Sequence, residues 1–378
     1  IGYYIYKKKI NAFIPSVIAL LVLYVFVWIG SNNPINLESL GVHSSNVKHT
    51  WVILLFIYSG IASLIPVWIL LQPRDYINSH QLIVGLSLIF LSIFLIQPKI
   101  IAPAITNLDK GPPIIPFLFV TIACGAISGF HGLVSSGTTS KQVDKMDDAR
   151  MIGYGATLGE GSLALAATIA AIAGLSFVNM QNDLCLPWAC DFNNAKAGAL
   201  NVFINGSSGL LQQIGLPESL ATTLIVVLVV SFAATTLDSA TRIQRYIITE
   251  FGSATKLKVF ENKYLATLIS IIPAYFIATN NELRNELWQT FGASNQMLAA
   301  LTLMVLSIYF WKKGKNIIPL IIPMIIIMLI TISALFIKFN QSTTFLLKII
   351  NGTLILLILW MILEGVIYCF NKIKLDNE

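Results

Sequence analysis

The chain has 378 residues; 56% are apolar, only 11% are charged, the mean hydropathy is +0.77 and the net charge is +6. An ordinary soluble domain carries roughly 25% charged residues, so this composition argues against a soluble enzyme. The positive excess is not a nucleic-acid footprint, because the basic residues sit in short loops between apolar runs, as membrane orientation requires.

Residues 1–6 read as the tail of an earlier helix closed by Lys7, Lys8 and Lys9, and an N-terminally truncated chain is expected. Ten apolar stretches follow, at 11–30, 50–72, 81–97, 115–137, 152–174, 217–240, 262–279, 291–311, 317–337 and 346–369. Each comes near the ~20 residues that a hydrocarbon core demands of a helix. Alternate loops carry 17 and 7 of the 24 Lys and Arg residues. The positive-inside rule then puts residues 7–9 and the C-terminus in the cytoplasm. The fold class is an all-α polytopic membrane protein. Trp51, Trp68 and Trp311 near span ends read as interfacial anchors.

The fourth span is unusual for its glycines at 125, 129, 132 and 137 and its polar Ser128, His131, Ser135 and Ser136. Such a helix is expected to break near residues 128–132. Backbone groups freed at that depth must face protein or a polar cavity. Half-helix ends exposed by such breaks hold ligands in transporters. Gly125 and Gly129 alone would also suit a small-xxx-small packing helix. His131 is an ionisable residue inside a span and suits a proton carrier or a hydrogen bond across helices.

In the fifth span Glu160 lies in a glycine-rich run, Gly153 to Gly161, and reads as the most deeply placed carboxylate of the chain. It must be protonated, paired or wet, in a coupling role or as a bond to a neighbouring helix. The long external loop 175–216 reads as a short helical hairpin near 194–214, turning at Asn205, Gly206, Ser207, Ser208 and Gly209. Its Cys185 and Cys190 are either a small disulfide or two free thiols, while Cys124 and Cys369 read as core packing. No His lies near the loop pair, which weakens a metal reading.

The sixth span ends in Thr235, Thr236, Asp238, Ser239 and Arg242. Residues 235, 238, 239 and 242 share one helical face. Their oxygens could coordinate a hard cation such as Na⁺. An Asp238–Arg242 pair at i,i+4 is also expected there. Glu364 reads as interfacial and structural. No basic residue is expected deep in a span, which leaves helix ends as the anion receptor.

Leu71-Gln72-Pro73-Arg74-Asp75-Tyr76, read as the end of the second span, resembles a segment of the carbon starvation protein A family. So do residues 117–141, 148–161, 235–245 and 291–296, in the same order. The resemblance implies an inner-membrane transporter of peptides or, in some members, of pyruvate. It also implies the fold of the amino acid–polyamine–organocation superfamily, two inverted repeats of five helices. Residues 1–110 would then be the last helices of the first repeat. Residues 111–312 would be the second repeat with its external hairpin, and 313–378 two peripheral helices. The first two core helices, one of them glycine-rich and broken, would lie upstream of Ile1.

The implied function is a secondary active transporter importing peptides during carbon starvation, driven by H⁺ or Na⁺. A pyruvate or small monocarboxylate symporter is the alternative. Remoter readings are an intramembrane enzyme with His131 and Glu160 as acid and base, and a channel-like or sensory protein. The expected substrate site is Ser128, Gly129, Phe130, His131, Gly132 and Ser135. The expected ion-coupling residues are Glu160, Thr235, Thr236, Asp238 and Ser239. No cofactor is expected beyond the coupling ion, and no nucleic-acid partner; the partners are the substrate and the lipid bilayer of the cell membrane.

Overall fold

A computed structural model describes residues 2–3, 8, 11–104, 114–178, 186, 188, 192–342 and 344–376. Cys185 and Cys190 fall outside the described residues, as do the side chains of Cys124 and Cys369. Among the described residues every regular element is helical. Eight helices are long and apolar enough to cross a membrane. A ninth span, Lys263–Thr279, is shorter, and the expected fourth span is split in two. The chain is a multi-pass membrane protein that divides into two compact units.

The first unit holds residues 1–111 and 151–279. Its helices are α1 (Phe13–Asn32), α2 (Val47–Leu64) and α3 (Leu71–Ile96). Pro66 ends α2 early: a residue before proline is pushed out of the helical region, and Ile65 is extended at φ −71°, ψ 142°. The expected second span therefore stops at Leu64. The Leu71–Tyr76 motif opens α3 instead of closing α2. Pro73 is tolerated because it lies in the first turn, where its missing N–H has no intrahelical partner.

The unit continues with most of α6 (Met146–Ile172), then α7 (Phe192–Gln213), α8 (Glu218–Thr255), the short α9 (Lys258–Glu261) and α10 (Lys263–Thr279). The 38-residue α8 is the post against which α1, α2, α3, α7 and α10 pack. It runs 15 residues past the expected end at 240, because its polar residues find partners on neighbouring helices. The core gathers Val27, Ile89, Ala166, Ala170, Leu210, Leu211 and Ile225.

The expected hairpin near 194–214 is absent: α7 is one continuous helix through Asn205 and Gly209. Gly206 and Gly209 serve close packing. A Cβ on Gly206 would run into the Ala170 carbonyl, and one on Gly209 would lie 2.9 Å from the Gly174 carbonyl oxygen. One face of α7 is packed, with Ser207, Leu210 and Leu211 fully buried, while Leu200 is 55% exposed. Small residues let membrane helices approach at backbone distance, where hydrophobic drive is weak. Gly206→Ala is expected to destabilise by about 1–3 kcal/mol through overpacking. Gly198→Ala, with nothing near its Cβ, should stabilise by up to about 1 kcal/mol. Thermal unfolding in detergent checks the contrast.

The second unit holds residues 112–150 and 280–378. Its helices are α4 (Ile114–Ala126), α5 (Gly129–Gly137), the first turn of α6, α11 (Asn281–Lys312), α12 (Ile318–Gln341) and α13 (Phe345–Asp376). Both α4 and α5 pack on α11, and α12 packs on α4, α11 and α13. Val120, Ala293, Ala334, Leu335 and Ile358 form its core. Thr290 donates to Asn351 Oδ1 at 3.2 Å inside this layer.

Candidate functional site

The fourth span breaks as expected, at residues 127–128, just before the glycines of α5. Ser128 is extended at φ −101°, ψ 123°, and the helix restarts at Gly129. A chain interrupted at this depth must satisfy its backbone locally. The strip that does so is Phe291-Gly292-Ala293-Ser294-Asn295-Gln296 on α11. Asn295, 2% exposed, accepts the Phe130 N–H at 2.8 Å on Oδ1. The Ser128 hydroxyl lies 3.3 Å from both Oδ1 and Nδ2 of the same amide. This is a helix N-cap supplied from another helix, where a Ser, Thr, Asp or Asn of the chain itself would normally stand.

Gln296 holds the other half. Its amide donates to the Phe119 carbonyl at 3.0 Å, and its Oε1 accepts from Thr331 at 3.2 Å. Gly129 sits against the backbone of Asn295 and the side chain of Leu298; Gly132 meets Thr302, whose Oγ1 would be 2.6 Å from an added Cβ. The small residues of α5 thus seat it on α11. His131 is exposed on the other side, and so is Ser135, whose hydroxyl donates to the Gly132 carbonyl at 3.0 Å. Phe130 is half-buried.

The remaining candidates belong to the first unit. There α2, α3 and α8 enclose a polar cluster. Arg74 Nη1 pairs with Asp238 Oδ2 and donates to the Tyr58 hydroxyl at 2.6 Å. That hydroxyl donates in turn to Asp238 at 3.4 Å. Asp75 Oδ1 lies 3.9 Å from Arg74 Nη2. Asn78, 4% exposed, donates to Thr235 Oγ1 at 2.8 Å, and Ser59 and Thr241 share a hydrogen bond of 2.8 Å.

Three expectations are corrected here. Asp238 does not staple its own helix through Arg242. Its partner is Arg74, while Arg242 Nη2 donates to the carbonyls of Ala62 and Ile65 at 2.8 Å each. Those are orphan acceptors at the C-terminal end of α2, where a cation is favoured. Second, the deeply buried carboxylate is Asp238, at 1% exposure; Glu160 is only half-buried on α6. Third, cations stand between packed helices as well as in the loops: Arg242 and Arg245 are buried, and Arg74 is partly buried beside Asp238.

Of the four α8 candidates, Thr235 and Asp238 enter the cluster and Ser239 stays half-buried beside it. Thr236 is exposed and returns its hydroxyl to the Phe232 carbonyl at 3.0 Å. Thr235→Val is expected to cost about 1 kcal/mol by removing the nearer acceptor of the Asn78 amide and leaving it the Ser231 carbonyl at 3.4 Å. Thr236→Val should fall within about 0.5 kcal/mol of the parent. Unfolding midpoints of the two variants check this difference.

Comparison with known proteins adds relatives to this geometry. The family model described as carbon starvation protein CstA matches residues 1–186 and 189–334. A peptide transporter CstA of Bacillus subtilis is 29% identical over 356 residues, covering 84% of this chain and 58% of that protein. The peptide transporter CstA of Escherichia coli is 28% identical over 328 residues, 72% of this chain and 46% of its own. The pyruvate/proton symporter BtsT of Escherichia coli is 46% identical over 123 residues, 30% of this chain and 17% of its own. The chain spans about half the length of the curated CstA relatives it matches. No solved structure matches it.

Proposed function

The chain belongs to the carbon starvation protein CstA family, and from that premise we propose that it takes part in secondary active import of peptides across the cell membrane, its C-terminus cytoplasmic. The observation that carries the reading is the discontinuity at residues 127–128, with α5 restarted and capped by Asn295. The positive end of a half-helix suits an anion. A peptide C-terminus offers one, received by the α5 N–H groups that Asn295 does not take, with Phe130 and His131 beside it. Relatives named as peptide transporters put peptide first.

A second substrate, pyruvate or another small monocarboxylate, is favoured by the 46% identity to a pyruvate/proton symporter over 123 residues. The fold we propose is that of the amino acid–polyamine–organocation superfamily, with its two inverted five-helix repeats. We read the protein as a transporter and not an enzyme on the names of its relatives.

The coupling ion is H⁺ or Na⁺. In the proton reading, the charge on Arg74 already balances Asp238 and no metal ion is required there. In the sodium reading, Ser239→Ala should shift the sodium dependence of uptake; an unchanged dependence removes Ser239. The test of the function is uptake of labelled dipeptide and of labelled pyruvate into proteoliposomes under an imposed H⁺ or Na⁺ gradient. Accumulation of either supports import, and accumulation of neither overturns it.

A further inference from the structure

An apolar groove of about 650 Å³ runs along the second unit between α11, α12 and α13. Met304, Ile308 and Trp311 form one wall, Ile321, Ile325 and Leu329 another. Gly365 lies opposite, where an added Cβ would come 3.0 Å from the Met304 sulfur. Ser307 is the polar residue of the lining, and its hydroxyl is spent on the Leu303 carbonyl at 2.7 Å. Ile325 is 47% exposed and Leu329 62%, so the groove opens on the surface of the chain. From Ile317 to Ile332 it extends about 22 Å, at 1.5 Å of rise per residue. One leaflet of a bilayer core is roughly 15 Å deep.

One end is electrostatically distinct. Trp311 and Ile317 line the groove there, and the turn between them carries Lys312, Lys313 and Lys315, all exposed. That turn is tightly built. Gly314 takes the left-handed region at φ 67°, its N–H reaches the Trp311 carbonyl at 2.9 Å, and that of Lys315 reaches Phe310 at 3.0 Å. The ammonium groups lie over aromatic rings beside the mouth: Lys312 over Tyr368 at 5.4 Å and Lys313 over Tyr309 at 5.5 Å. An apolar slot long enough for a whole hydrocarbon chain therefore ends at a turn that carries three exposed lysines. A zwitterionic lipid offers these lysines no net charge.

We propose that the α11–α12–α13 groove holds an acyl chain of an anionic phospholipid whose phosphate rests on Lys312, Lys313 and Lys315. Basic sites between membrane helices on the cytoplasmic side recognise such headgroups, and the positive-inside count places this turn there. The three thioethers of Met304, Met324 and Met328 suit a flexible chain, because methionine adapts its shape to what it packs against.

The test uses the purified protein in detergent. Phosphatidylglycerol and phosphatidylcholine are titrated separately, read by native mass spectrometry and by the unfolding midpoint. Phosphatidylglycerol should bind at least tenfold more tightly. Each lysine near the surface contributes roughly fivefold, so Lys312→Gln, Lys313→Gln and Lys315→Gln together should weaken it on the order of 100-fold. Ile325→Trp should block the slot and weaken phosphatidylglycerol with the lysines intact. Lys256→Gln with Lys258→Gln, in another basic loop, should change nothing. Equal binding of the two lipids, an unaffected triple variant, or an unaffected Ile325→Trp each overturns the proposal. So does a dimer that persists in phosphatidylcholine and is broken by Ile325→Trp, since that would give the groove to a second copy.

Discussion

Arg74→Ala is expected to destabilise the protein by about 3–5 kcal/mol, the range for removing one partner of a buried ion pair. Asp238 is 1% exposed and would keep the Tyr58 hydroxyl at 3.4 Å and the charge of Arg242, which is not bonded to it, in place of its paired guanidinium. The loss should exceed that of an exposed pair severalfold, because low dielectric penalises an unpaired charge. Asp238→Ala should do comparable damage by stranding Arg74. Together the two changes should be milder than their sum, since neither member of the Arg74–Asp238 pair is left facing an absent partner, although Asp75 still loses Arg74 at 3.9 Å. Unfolding midpoints of the four proteins close the cycle. Additive losses would mean that the two residues act separately.

The second large effect concerns transport. Asn295→Ala should lower substrate uptake at least tenfold. The Phe130 N–H would lose its acceptor at a position where burial makes an unmade hydrogen bond cost about 1–3 kcal/mol. With Ser128 also released, α5 would no longer start at a fixed place. Asn295→Asp keeps the acceptor and should preserve the restart, but its negative charge competes with an anionic substrate at the same helix end. Uptake by the aspartate variant should therefore fall even though the Phe130 N–H keeps its acceptor, and its stability should also drop, because the carboxylate is buried and the amide donor beside Ser128 is lost. A stable alanine variant with full uptake would separate the cap from function.

The span positions were legible because a bilayer imposes length and hydropathy on each helix, and residues 13–32, 146–172 and 318–341 lie close to where the apolar runs put them. The break at Ser128 was legible because its glycines and polar residues are local signals. Glycine is ambiguous at Gly206, where it could mark a turn or a close approach. Only the Ala170 carbonyl, brought there by another helix, decides for packing. The partners of the candidate residues were hidden for a related reason. Arg74 and Asp238 are 164 positions apart, and Asn295 and Phe130 165. Periodicity reports which face a residue occupies and not what stands opposite. Asn295 was visible only as part of a family motif, with no role to read from its neighbours in sequence. The Asp238–Arg242 pair was expected because i,i+4 contacts are the ones a sequence can display. Tertiary packing gave each residue a different partner.

On the proposed reading the restarted half-helix α5 receives a carboxylate, and transport depends on that recognition. It is tested most directly by comparing, in proteoliposomes, the uptake of a labelled dipeptide with that of its C-terminally amidated form. A hydrogen bond to a charged group contributes about 1.5–3 kcal/mol, which corresponds to roughly ten- to a hundredfold. The amide should therefore enter at least tenfold more slowly at subsaturating concentration, and free dipeptide should compete with pyruvate. Equal uptake of the dipeptide and its amide would show that the carboxylate plays no part in recognition.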